Sequence, residues 1–240
     1  MKNQYFADIN DYKKYGLLRL LSGGGGAGGL KTTVCWMLTP NDHGADGNST
    51  GYLDDPAKWR RYDPEAFDVL KQCMAQPNGR AVSWVESTGL VPAATHFSSI
   101  LSDNADQRRQ YFAEMRSQIA GQDLVFFDPD TGIEVKSTRY GCRDSSRYIY
   151  WNELADAYAQ GQSLLIYQHF PRISRGEFIW QMVGRMHDQM PVPMAFAFST
   201  ANVLFLLAPQ RRHVEYLKER CAQIKGQWGE QIRVEQYQRI

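Results

Sequence analysis

Residues 104–120 place Tyr111, Met115 and Ile119 at i, i+4 and i+8, with Phe112 alongside. That spacing puts the apolar side chains on one face of a helix. The same period predicts helices over 8–21 (Tyr12, Tyr15, Leu18, Leu21, with Asp8 or Asn10 able to cap), 64–74, 152–160, 174–190 and 213–225. Between them run short apolar segments of the length of strands: 31–38, 124–127, 163–167, 195–199, 203–207 and 232–237, with weaker candidates at 82–85 and 95–101. Thr200-Ala201-Asn202 is short enough to close 195–199 onto 203–207 as an antiparallel hairpin. Strands alternating with helices imply an α/β, Rossmann-like, mostly parallel sheet with helices on both faces and a late antiparallel hairpin. No repeat and no linker divides the chain, which reads as one α/β domain over 1–240. The glycine run at 23–29 precedes a strand, so it reads as a connector; a phosphate-cradling loop leads directly into a helix N-terminus.

Composition changes this picture little. With 43% hydrophobic and 22% charged residues and a formal net charge of +1, the chain has the balance of a globular protein and no global field for a polyanion or membrane. Local basic patches remain, Arg139, Arg143 and Arg147 in one stretch and Arg172 with Arg175 in another, as possible contacts to nucleic acid. The start is polar and no apolar run reaches the ~18 residues of a membrane helix, so a cytoplasmic protein is expected. Cys35, Cys73, Cys142 and Cys221 form no CxxC pair, and His43, His96, His187 and His213 have no mutual spacing that suggests a metal.

The chemistry concentrates after the apolar run 124–127. Asp128, Asp130 and Glu134 fall within seven residues, separated by Pro129, Thr131, Gly132 and Ile133. Carboxylates so close repel one another and are held by a cation, a donor-rich ligand or water. A capped turn with the carboxylates accepting backbone N–H groups is the alternative. A calcium loop fails, because its twelfth position counted from Asp128 is Arg139. Pro129-Asp130 and Glu134-Val135-Lys136 contain the elements of a Mg²⁺-dependent nuclease, though on one stretch of chain. After 163–167 come Gln168, His169 and Arg172, where a histidine could act as general base or phosphate contact. The carboxyl edge of the sheet is thus expected to carry Asp42, Asp128, Asp130, Glu134 and His169.

The order of elements, with an acidic-Pro turn after the fourth expected strand, resembles the sheet of class I S-adenosylmethionine-dependent methyltransferases. Asp128-Pro129-Asp130-Thr131 resembles the Asp-Pro-Pro-Tyr motif of amino-methylating nucleic-acid methyltransferases, with Asp130 at the second proline and Thr131 at the aromatic. Residues 6–15, FADINDYKKY, look like the Gly-Asn-x-x-Asp-x-x-Lys-His segment of bacterial large-subunit rRNA adenine-N6 methyltransferases. The resemblance implies S-adenosylmethionine as cofactor, bound with the help of Asp11 and Lys14, which it sets beside the acidic turn; Asp42, after the first expected strand, is a further expected cofactor contact. The resemblance implies Asp128 as acceptor for a target amine; Asp130, Glu134 and His169, from their place at the expected sheet edge, complete the expected catalytic set. Tyr167 or Phe170 would recognise the base, and Lys136 and Arg172 would contact the substrate. The FDPD-Gly-x-Glu and YQHFPR patches also resemble those of uncharacterised bacterial and phage-borne proteins. The alternatives are a Mg²⁺-dependent nuclease or phosphoesterase using Asp128, Asp130 and Glu134, and a non-catalytic binding module on the same fold.

Overall fold

The computed structural model describes every residue except His43, Ala45, Asp46, Asn78, Arg239 and Ile240. The expectation for His43 therefore lies outside the described residues. In chain order the elements are α1 (Ile9–Ser22), β1 (Thr32–Cys35), α2 (Pro56–Trp59), α3 (Pro64–Met74), α4 (Ser83–Thr88), β2 (Thr95–Phe97), α5 (Ala105–Gln118), β3 (Leu124–Phe127), β4 (Gly132–Ile133), β5 (Tyr148–Ile149), α6 (Trp151–Ala159), β6 (Ser163–His169), α7 (Arg175–Gln189), β7 (Met194–Ser199), β8 (Val203–Ala208), α8 (Val214–Trp228) and β9 (Arg233–Gln238). Among the described residues no helix is long and apolar enough to cross a membrane.

Seven strands form one sheet in the order β2-β1-β3-β6-β8-β7-β9, and β4 and β5 pair separately. β2, β1, β3 and β6 run parallel. β8 enters antiparallel between β6 and β7, and β9 pairs antiparallel with β7. The central strands are apolar at consecutive positions because both faces are covered. Alternation then sorts the side chains. Leu124, Phe126, Leu165, Tyr167, Phe196 and Phe205 face α1, α3 and α8. Val125, Phe127, Leu164, Ile166, Ala197 and Leu206 face α5, α6 and α7. The two layers of helices are the two covers of the sheet.

The structure corrects some boundaries. Residues 82–85 are not a strand: Val85 N–H donates to Val82 O at 2.9 Å, and these residues form the first turn of α4. Val82 and Val85 are both buried, and apolar residues three apart mark a helical turn, not strand alternation. The acidic turn accordingly follows the third strand of the chain, not the fourth. The first strand ends at Cys35, because Met37 takes φ +46° and Leu38 makes only an isolated bridge with Ile100. The two-stranded β4–β5 pair was not foreseen; its segments are too short to show a period.

Candidate functional site

β1 is flanked by β2 on one side and β3 on the other, so successive connections depart in opposite directions at this point. A crevice opens there, outside the carboxyl ends of β1 and β3, the position at which open α/β sheets bind ligands. A cavity of about 430 Å³ lies at this edge, lined among others by Asp8, Asp11, Lys14, Asp128, Asp130 and His169. Strand register explains the convergence. Asp128 continues the Leu124–Phe126 series and His169 the Leu165–Tyr167 series, so these side chains lie on the side of α1. On α1, Asp11, Lys14 and Tyr15 are spaced i, i+3 and i+4 on one stripe.

The charges form two linked arrays. Lys14 Nζ sits 2.7 Å from Asp11 Oδ1 and 2.7 Å from Asp128 Oδ2, and all three residues are buried. Tyr15 donates its hydroxyl to Asp11 Oδ2 at 3.1 Å. Burial alone would lower the pKa of Lys14; the flanking Asp11 and Asp128 carboxylates overturn that and raise it. One ammonium serves two carboxylates, and Asp11 is pushed up to about 6 by burial, with Lys14 opposing and Asp128 adding to the rise. In the second array the Met1 ammonium donates to Met37 O at 3.1 Å and Asp128 O at 3.0 Å, spanning the ends of β1 and β3. It also lies 3.0 Å from Asp130 Oδ1, with Lys2 Nζ 3.3 Å from Asp130 Oδ2. Thr39 donates its hydroxyl to Asp130 at 3.1 Å. Burial would raise the Asp130 pKa, but the Met1 ammonium and Lys2 hold it below the usual carboxylate range. The cations that keep the acidic turn together are thus the chain's own.

Several expected site residues stand elsewhere. Glu134 does not join Asp128 and Asp130: pairing of β4 with β5 carries it to the start of α6, where its Oε1 accepts from Trp151 N–H at 3.1 Å. Asp42 pairs with Lys2 on the outer side of the N-terminal segment and does not line the cavity. The hydrogen bond from Lys2, with those from Gly44 N–H and Gln4, holds its carboxyl well below the usual range. The Tyr167 ring is no stacking platform, because Lys14 lies 5.5 Å over it and Phe205 and His169 pack edge-on at 5.5 and 5.1 Å. Its hydroxyl lies 3.2 Å from His169 Nε2, at the rim. Phe170 and Lys136 line a second cavity, of about 500 Å³, and Arg172 is exposed and lines neither. No sequence signal marks Lys2, Tyr5, Ser49 and Asn202, and Arg147 is marked only as part of a basic patch; these residues reach the site from loops and short 3-10 turns, which carry no periodic signal. Among the described residues no group of three or more His, Cys, Asp or Glu is placed to hold a metal ion.

A local constraint fixes the turn. Gly132 has φ +140°, and a Cβ there would stand 2.4 Å from Gln168 Oε1, which itself accepts Ile133 N–H at 2.7 Å. The Gly132→Ala variant should therefore lose about 1–3 kcal/mol of stability by forcing Gln168 off that hydrogen bond. Chemical denaturation checks this; an unchanged midpoint would contradict the packing described.

No family model matches the chain, and no curated protein matches it. Six solved chains do. One is the crystal structure of protein LPL1258 from Legionella pneumophila str. Philadelphia 1, of family-model DUF519. It is 10% identical, with 97% of each chain covered and a TM-score of 0.52. At that identity the likeness speaks for the fold: a mixed α/β sheet, mostly parallel, with antiparallel strands at the C-terminal end.

Proposed function

We propose that this protein is a methyltransferase-like enzyme that acts on an exocyclic amine of a nucleic-acid base, with S-adenosylmethionine as methyl donor. The observation that carries the reading is the Asp11–Lys14–Asp128 array, which joins the first helix to the Asp-Pro turn at the switch point of the sheet. It is supported by the order of elements, with an antiparallel strand slotted between β6 and β7.

The cavity's own chemistry fits the donor. Four carboxylates, Asp8, Asp11, Asp128 and Asp130, line it beside Lys14, Arg147 and the Met1 ammonium, a balance of one carboxylate in excess that suits a ligand of net positive charge. Gly47 lines it at φ +80°, where a Cβ would collide with Tyr5, so only glycine lets this loop pack against Tyr5 at the cavity wall. Asp8, Asp11 and the Gly47 backbone would hold the cofactor, which supplies an electrophilic methyl group when bound. The rest falls to the chain. Asp128 accepts an N–H of the target amine and fixes its orientation. Its negative charge, held in place by Lys14, favours positive charge developing on the nitrogen. Burial of the array limits water at that point.

Isothermal titration calorimetry with S-adenosylmethionine tests the reading. Binding is expected, and no heat at millimolar cofactor would overturn it. The sign of the pH dependence follows from Asp11, raised to about 6. Above that pH the cavity carries the extra negative charge and binds a cationic donor tightly; below it affinity should fall several-fold. Asp11→Asn should remove the step.

The Mg²⁺-dependent alternative has weaker support. Glu134 is turned to α6, and Asp128 and Asp130 already hold Lys14, Lys2 and the Met1 ammonium.

A further inference from the structure

The second cavity, of about 500 Å³, shares Thr131 and His169 with the first. The partition between them is main chain: His169 N–H donates to Thr131 O at 2.9 Å, and Thr131 N–H to Arg147 O at 2.9 Å. The two sides differ in charge. The first carries four carboxylates beside Lys14, Arg147 and the Met1 ammonium, whereas the cations of the second are Lys136 and Arg185. Among the described residues neither Lys136 nor Arg185 has an ion pair. The Arg185 guanidinium lies 5.3 Å over the Trp151 ring. Glu134, the carboxylate on the lining, is turned to Trp151 N–H. Phe170 and Phe178, edge to face at 6.0 Å, add an aromatic wall.

A ligand that fits both sides carries a donor-bearing amine at one end and an anion beside a planar apolar group at the other. A nucleotide within a strand has that constitution, and a cationic groove with aromatic walls is how single strands are held. Resting on the reading of the first cavity as the seat of a base amine, we infer that the second cavity seats a backbone phosphate of the same strand. Lys136 and Arg185 are its anion contacts, and Phe170 and Phe178 are the surface against which the neighbouring nucleotide packs.

Fluorescence anisotropy with a short fluorescein-labelled single-stranded oligoadenylate tests this. The Lys136→Gln/Arg185→Gln variant alters exposed side chains, so its melting should match the wild type. Lys71→Gln/Lys225→Gln removes the same charge from α3 and α8, on the other face of the sheet. The cavity pair should weaken binding roughly tenfold and flatten the salt dependence by about 0.7 per lost phosphate contact, with the control pair near wild type. Equal weakening by both pairs, no weakening by either, or no binding at low salt would overturn the inference. Equal competition by polyglutamate would do so too, since any polyanion would then suffice. Calorimetry with S-adenosylmethionine on the cavity pair keeps the two readings apart. Unchanged cofactor heat with lost oligonucleotide affinity supports the phosphate seat, and absent cofactor heat in the wild type sinks only the methyl-transfer reading.

Discussion

Lys14→Met should melt roughly 10 °C below the wild type at neutral pH, and close to it near pH 4.5. The variant keeps the volume of the side chain but removes the one ammonium between Asp11 and Asp128, both buried. An uncompensated buried charge costs about 3–5 kcal/mol, and for a chain of this size each kcal/mol moves the melting point about 2–4 °C. The pH dependence follows from linkage. Without Lys14 the folded-state pKa of Asp11, already raised by burial, rises further above that of the unfolded chain, so the folded protein binds the extra proton. Stability is then retained at low pH and lost as pH rises through the raised value. Adding Asp11→Asn to the variant should recover part of the loss. A loss of equal size at both pH values would mean that Lys14 acts through packing alone.

Arg108→Met should be destabilising to a similar degree, by about 3–5 kcal/mol, and at any pH where Glu153 is ionised. Arg108 is fully buried and forks onto Glu153, Nε to Oε1 at 2.6 Å and Nη2 to Oε2 at 2.8 Å. It also donates to Ser145 O at 3.0 Å and Tyr148 O at 2.7 Å. Its guanidinium lies 4.8 Å from the Tyr150 ring and 5.2 Å from Phe112. Glu153 in turn accepts Tyr150 N–H at 2.9 Å, which ties the start of α6 into the same array. Arg108→Lys cannot reproduce the planar fork and should rescue little. The double variant Arg108→Met/Glu153→Leu, which removes both charges, should melt above Arg108→Met. Proteolysis of the segment between β4 and α6 offers a local readout, because Arg108 pins that segment at two carbonyls. If Arg108→Lys proved equal to the wild type, a single cation would be enough and the fork would carry no weight.

The helices and central strands were legible because each carries a period. Tyr111, Met115 and Ile119 announced α5, and the apolar run Leu124–Phe127 announced a strand buried on both faces. Asp128 was legible as a rim residue for the same reason, since it is the first polar position after that run. The error at 82–85 came from two valines whose three-residue spacing was outweighed by their β propensity. Glu134 is near Asp128 and Asp130 in sequence but not in space. Gly132 bends the chain and a two-residue pairing with β5 leads it away. The role of Lys2 had no sequence signal, since a lysine in a polar segment looks solvated until the fold brings Asp130 to it. Nothing in the sequence shows that Lys14 and Phe205 cover the Tyr167 ring.

Lys14 and Asp128 are 114 positions apart. On a ribosome the lysine emerges long before its acceptor exists, and the rim is complete only when residue 169 has followed. Contacts of such long range form slowly, after the intervening chain has been organised. Binding at this edge would therefore report that synthesis and docking of the parallel strands are finished: a truncated or half-threaded chain carries Lys14 and Asp11 but lacks the second carboxylate that completes the rim.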